Sequence, residues 1–428
     1  MKKLATVAYF LCALSVAMPS HAQPPPLRIK AEPPRAEALL WKHLFGGGED
    51  DGATAIVRAA DGGFAVAGYT DSKGAGKVDA WVIRLDAHGE ALWDRTYGGS
   101  EDDAANAIVR TADGGFAVAG DIGSKDADQG DAKGVGQGDA TCANQDDATC
   151  AGNIDFWVVR LDARGEVLWD RTLGGRKDDW ASAVVQTADG GLAVAGGTRS
   201  KGAGKGDAWV IRLDAHGQVL WDRTFGGSEE DEATALVRTA DGGFAVAGDT
   251  QSKGAGKADI WVIRLDAQGH VLWDRTFGGS ENDWAGAMVQ TADGGFAVAG
   301  ETHSKGAGSS DVWVIRLNAQ GRALWDRTLG GRKEDWATTI VRTADGGFAV
   351  AGSTQSKGAG KGDAWVIRLD AQGKLRWDRT FGGRKVDWAS AVVQNVDGGF
   401  TVAGYTSSKG AGFGDAWIFR LNKNGELE

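Results

Sequence analysis

The stretch WDRTFGGSENDWAGAMVQTADGGFAVAGETHSKGAGSSDVWVIRLNAQG, residues 273–321, decides the fold, because nearly the same string returns along most of the chain. Its turn Asp-Gly-Gly begins at Asp61, Asp113, Asp189, Asp241, Asp293, Asp345 and Asp397. The interval is 52 residues every time except the second, which is 76 and so carries 24 extra residues. Each copy also repeats two tryptophans in fixed places. One row is Trp81, Trp157, Trp209, Trp261, Trp313, Trp365 and Trp417; the other is Trp41, Trp93, Trp169, Trp221, Trp273, Trp325 and Trp377.

Within a copy the pattern predicts four short strands bounded by Gly- or Asp-rich turns. Between residues 233 and 279 these are ATALVRTA, GFAVAGDT, DIWVIRLDA and HVLWDRTF. Alternation is clearest in the third, where Trp261, Ile263 and Leu265 share one face and Val262 and Arg264 the other. No segment has a helical period. Four-stranded units of this length repeated in series are the signature of a propeller, whereas an all-β solenoid uses shorter coils. The expectation is an all-β protein, a seven-bladed β-propeller of four-stranded antiparallel blades over residues 38–428. The repeats begin at a fourth strand, EALLWKHLF, and stop just after a third, DAWIFRLNKNG. A ring can join these fragments, so the strand around Leu39 to Phe45 is expected to complete the last blade and leave no open sheet edge.

Ahead of the repeats, MKKLATVAYFLCALSVAMPSHAQ has two lysines, an apolar run and a small-x-small site ending at Ala22, which reads as a secretory signal peptide over residues 1–22. All six prolines lie between Pro19 and Pro34, so residues 23–37 read as a stiff extended leader. No later run reaches the ~20 apolar residues of a spanning helix, and a periplasmic or secreted chain without membrane insertion is expected. The net charge is −11, or −13 without Lys2 and Lys3. That field disfavours nucleic acid or an anionic membrane as the main partner.

The unit 273–321 resembles the repeats of exported bacterial β-propeller proteins, many without an assigned activity, and is similar more distantly to kelch and quinoprotein propellers. RLDAQGHVLWDRT, residues 264–276, is similar to the tryptophan-docking motif of quinoprotein blades, with Asp266, Gly269 and Trp273 in matching order. The resemblance implies that this tryptophan packs between adjacent blades. It does not carry over quinone binding.

If ATALVRTA is the innermost strand, the Asp-Gly-Gly and LDAQG turns share one face. The other face then receives FGGSENDWA and T-x-SKGAGKGD, and ligands of such folds meet loops near the channel mouth. In that first loop the residue before the inner-strand Ala is Gly52, Ala104, Trp180, Glu232, Trp284, Trp336 or Trp388. The residue after Gly-Gly is Gly48, Ser100, Arg176, Ser228, Ser280, Arg332 or Arg384, while Asp51, Asp103, Asp179, Asp231, Asp283, Asp335 and Asp387 never change. The constant Asp is expected to cap backbone N–H groups. Four tryptophans beside Arg176, Arg332 and Arg384 would suit a carbohydrate or an extended peptide. The plainer reading is that they fill gaps between blades.

The insertion, about 125–154 in the second repeat, is rich in Asp and Gly and should be a surface loop on that same face. Cys142 and Cys150 are the only cysteines after Cys12, and export makes a disulfide between them the expectation. Asp126, Asp128 and Asp131 have partial spacing for calcium, but Gly130 takes a ligand place and no closing Glu follows, so a solvated acidic loop is preferred. No other cofactor is expected. KGAGKGD lacks the full phosphate-loop pattern. His88 and His216 look like solvated turn residues, and no Ser-His-Asp set or metal-spaced His cluster emerges. The resulting expectation is an exported binding or interaction scaffold whose ligand is a glycan or an extracellular or envelope protein. Two alternatives stand beside it: a quinone-dependent oxidoreductase or polysaccharide-cleaving enzyme, and a structural envelope component.

Overall fold

A computed structural model describes residues 42–123 and 154–428. The signal peptide, the leader, Trp41, the calcium candidates Asp126, Asp128 and Asp131, and the pair Cys142 and Cys150 lie outside the described residues. Seven four-stranded antiparallel sheets form the chain, and among the described residues there is no helix. Blade 1 spans residues 51–97, blade 2 104–173, blade 3 179–225, blade 4 231–277, blade 5 283–329 and blade 6 335–381. Blade 7 joins residues 387–421 to the N-terminal strand β1, Lys42–Phe45, which pairs antiparallel with β28, Asp415–Leu421. The first and last segments of the repeat region thus complete one sheet.

Strand order in each blade is sequential. The first strands of neighbouring blades touch one another all the way round, including blade 7 against blade 1. They are therefore the innermost strands, as the pattern implied. Blade 4 has strands β14 Asp231–Arg238, β15 Phe244–Thr250, β16 Asp259–Leu265 and β17 Val271–Phe277. The inner strand starts two residues earlier than the apolar pattern shows, because the capping Asp231 and its neighbour pair with Thr250 and Asp249.

Each inner strand carries a bulge near its start, after Ala53, Ala105, Ala181, Ala233, Ala285, Ala337 and Ala389, and in four blades the side chain there bonds to the next blade. Thr54 donates to Ala105 O at 2.5 Å, Asn106 to Ala181 O at 3.0 Å, Thr234 to Ala285 O at 2.8 Å and Thr338 to Ala389 O at 2.7 Å. Bulges free a residue from ladder pairing. Here the freed side chains of blades 1, 2, 4 and 6 each tie their blade to the next.

The core lies between blades, and every residue of β16 is buried because both faces of a middle strand meet a neighbour. Trp261 faces Gly248 across the sheet, where a Cβ would collide with the Glu232 carbonyl oxygen. Arg264 is buried as well, and donates to both carboxylate oxygens of Asp241, at 2.6 and 2.5 Å. The same Arg–Asp pair recurs in every blade. It locks the Asp-Gly-Gly turn to the third strand. Trp221 on the outer strand of blade 4's predecessor donates its indole N–H to Ala267 O at 3.3 Å in the next blade, with Gly269 at φ +80° lying over its ring. The implied inter-blade docking of this tryptophan row is thereby observed, and Trp169 and Trp377 make the equivalent bonds at 3.0 and 3.2 Å.

Candidate functional site

Two loops per blade meet on one face. The rim loop joins an outer strand to the next inner strand; the SKGAG loop joins the second strand to the third. Their frame is the constant aspartate. Asp283 accepts the Gly279 N–H at 2.9 Å and the Ser304 hydroxyl at 2.7 Å, and also the hydroxyl of Thr302. Asp51, Asp231, Asp335 and Asp387 make the same set. One carboxylate thus pins both loops, which is the capping role its constancy predicted.

The SKGAG loop is saturated from within. Lys253 pairs with Asp274 at 2.6 Å and lies over the Trp261 ring at 4.4 Å, while the Ala255 and Gly256 N–H groups donate to Asp259 at 2.9 and 3.0 Å. A phosphate would have to displace two carboxylates. The second lysine reaches the following rim loop, as in Lys205 to Glu229 at 2.6 Å and Lys257 to Glu281 at 2.7 Å.

Trp180, Trp284, Trp336 and Trp388 each occupy the second position of an inner strand and are half-buried. They belong to blades 3, 5, 6 and 7. Each lies in register with a second-strand residue: Trp180 with Gly197, Trp284 with Glu301, Trp336 with Ser353 and Trp388 with Tyr405. The Trp180 ring covers Gly197, with the Arg199 guanidinium 5.4 Å from its centre. Trp284 meets the His303 ring edge-on at 5.1 Å, and Trp388 stacks on Tyr405 at 4.0 Å and 13°. Arg176, Arg332 and Arg384 stand exposed in the preceding rim loops.

The rim is therefore a double row, and reading only its inner-strand member missed half of it. The second row is Tyr69, Asp121, Gly197, Asp249, Glu301, Ser353 and Tyr405. It was visible as the most variable position in FAVAG-x-T. In blades 1 and 3 size is traded across the pair, since Tyr69 covers Gly52 as Trp180 covers Gly197. Burial pushes the Asp121 carboxyl up to about 6 against the opposing bond from Asn106. Burial likewise raises Glu301, which Ser310 partly offsets. In blade 4 the pair is Glu232 with Asp249, hydrogen-bonded to each other. Burial first, then the neighbouring negative charge, raises Asp249 far above the ordinary carboxylate range. A proton shared between the two carboxyl groups would relieve that repulsion.

His88 and His216 are exposed in turns, and His270 sits on Asp266 at 3.0 Å. Among the described residues no three or more His, Cys, Asp or Glu are grouped to hold a metal ion.

No family model matches the chain. A segment of 189 residues is 27% identical to the regulatory protein FlaEY of Caulobacter vibrioides; the match covers 38% of this chain and 20% of that protein. Among solved structures, puromycin hydrolase superposes with a TM-score of 0.50 at 14% identity, covering 89% of this chain and 53% of that one. Sqt1 from Chaetomium thermophilum, solved bound to the N-terminus of the ribosomal protein L10, gives 0.47 at 14% identity and covers 90% and 88%. Likeness at this identity concerns the fold, which is the β-propeller. The matched segment spans about a fifth of FlaEY's length.

Proposed function

We propose that the protein is an exported binding scaffold whose loop face takes a glycan at the double rim row near the channel mouth. The observation that carries this reading is the row of half-buried indoles on consecutive inner strands, with the carboxyl group of Glu301 in register with Trp284 on the adjacent strand. Sugars present an apolar face to an aromatic ring and hydroxyls to carboxylates. The tryptophans of three consecutive blades, Trp284, Trp336 and Trp388, form the apolar part; Glu301, with Asp121 and Asp249 elsewhere on the ring, supplies acceptors. Arg176, Arg332 and Arg384 would orient an acidic sugar.

A second reading, an extracellular or envelope protein as ligand, is supported by Arg332 and Arg384, which are exposed and carry no ion pair or hydrogen bond among the described residues. The test is a panel of bacterial surface polysaccharides together with immobilised envelope extract, probed with the chain from residue 23 and with a Trp284→Ala, Trp336→Ala, Trp388→Ala variant. Polysaccharide binding lost in the variant supports the glycan reading. Polysaccharide binding retained in the variant, or none in the parent, overturns it; retention of an envelope protein sensitive to Arg332→Ser and Arg384→Ser favours the second. Sequencing the N-terminus after expression in a Gram-negative host tests export, with Gln23 the expected first residue.

A further inference from the structure

The opposite face, built from the Asp-Gly-Gly and LDAQG turns, carries a feature that the loop-face reading does not use. The last residue of each inner strand there is Arg58, Arg110, Gln186, Arg238, Gln290, Arg342 or Gln394. Two of the glutamines have a visible job. Gln186 accepts the N–H of Ala112, in the turn of the preceding blade, at 2.8 Å, and Gln394 accepts that of Ala344 at 2.8 Å. A side-chain carbonyl oxygen thereby closes the inner end of the cleft between two blades.

Arginine cannot do this, since its guanidinium only donates. Arg342 stands in the glutamine's place between blades 5 and 6, next to the turn of Ala292. It is exposed and, like Arg58, Arg110 and Arg238, makes no hydrogen bond or ion pair among the described residues. Two neighbouring arginines of this face are employed: Arg316 holds Asp293 at 2.6 Å and Arg327 holds Gly373 O at 3.2 Å. Asp293 is therefore not available to neutralise Arg342. From Arg342 a groove of about 470 Å³ runs along the blade 5–blade 6 cleft toward the outer strand, reaching Trp325 and Leu324, which is 56% exposed.

We infer that this turn face binds an acidic peptide segment of a partner protein, with one carboxylate set between the Arg342 guanidinium and the Ala292 N–H, and an apolar side chain in the groove against Leu324 and Trp325. The carboxylate oxygen would take the position that the glutamine oxygen holds in the sibling clefts, with Arg342 adding a charge-assisted bond. Arg58, Arg110 and Arg238, on the other arginine-bearing blades round the axis, receive further acidic residues. The peptide's apolar contact separates this ligand from a small polycarboxylate, which would use the arginines alone.

The test uses fluorescence polarisation of labelled Gly-Leu-Gly-Glu-Asp-Glu on the chain from residue 23. Comparison ligands are the amide version Gly-Leu-Gly-Gln-Asn-Gln, the leucine-free Gly-Gly-Gly-Glu-Asp-Glu, and citrate. Arg342→Gln installs the side chain that blades 3, 5 and 7 already carry at this place, so its melting midpoint should match the parent. It is expected to weaken the acidic peptide at least about tenfold, the loss typical of a charged hydrogen bond. Replacing all four arginines by Gln should abolish binding, and the amide and leucine-free peptides should bind more weakly than the parent peptide. Equal binding by parent and Arg342→Gln, no binding by the parent, or citrate and the leucine-free peptide matching the full one would overturn the assignment. None of these readouts involves the rim tryptophans.

Discussion

Gly196 and Gly197 are neighbours on the second strand of blade 3, and each lies in register with a tryptophan. Trp209, from the third strand, faces Gly196; Trp180, from the inner strand, faces Gly197. Trp209 is 1% exposed, donates to Asp222 at 3.1 Å and has Lys201 over its ring at 4.4 Å. Trp180 is half-buried, with only Arg199 across its face. A glycine stands at the first place in all seven blades, as Gly68, Gly120, Gly196, Gly248, Gly300, Gly352 and Gly404, but at the second place only in blade 3. The difference separates framework from rim. At the first glycine the limiting neighbour is backbone, the carbonyl oxygen of residue 180, and backbone cannot move aside without breaking the ladder. At the second it is the indole of Trp180, a side chain that can be exchanged for another.

Trp209→Ala should show the largest effect, about 3–5 kcal/mol of lost stability in a denaturant titration, the usual range for truncating a buried tryptophan. A cost below about 1 kcal/mol would erase the distinction drawn here. Gly196→Ala should follow with roughly 1–3 kcal/mol from overpacking against backbone, whereas Gly197→Ala should cost less and shift the Trp180 ring, read as altered indole quenching. Removing the cap with Asp283→Ala strips three bonds to a carboxylate, for a loss of roughly 1.5–3 kcal/mol. It should also speed proteolysis in the rim loop 278–282. Trp180→Ala is expected at about 1 kcal/mol, as for a cross-strand aromatic contact on a half-solvated surface. A value near that of Trp209→Ala would make the rim row core rather than contact surface.

A separate effect is in pH. Asp249 is raised in the folded state, so between its ordinary value and the folded one the native chain holds a proton that the unfolded chain has released. Stability from this site falls as pH rises through that window. Asp249→Asn should flatten the slope above the ordinary carboxylate range. Asp293, pushed down to about 2 by its bonds from Thr291 and Arg316, has the opposite sign: its contribution is present above the unfolded value and is lost as pH falls through the folded one. Acid titration of melting midpoints, with Asp249→Asn and Asp293→Asn in parallel, separates the two.

The rim and turn faces differ in how readable they were. The Asp cap could be anticipated because it repeats at the same place in every unit, the docking tryptophan from the resemblance of RLDAQGHVLWDRT to a quinoprotein-blade motif, and the ring closure because the repeats begin at a fourth strand and stop after a third. Arg264 was assigned correctly to the face opposite Trp261, yet its bond to Asp241 spans 23 residues of sequence and no local pattern points to it. The rim tryptophans were found by their variation along the chain. Their partners on the second strand, and the exchange of Gln for Arg at the far end of the inner strand, vary in the same columns of the repeat, but acquire meaning only when one knows what lies opposite.

The sequence by itself determined the number of blades, the four strands in each, their order, and the pairing of the first strand with the last, because these follow from a period and from where the repeats begin and stop. Only the tertiary structure decided which side chains share a cleft. Those contacts cross from strand to strand or from blade to blade, as Gln186 reaches Ala112 and Thr234 reaches Ala285. A repeat unit is copied along the chain, whereas a blade–blade contact joins two different copies; the specificity of this molecule lies in how those copies differ where they meet.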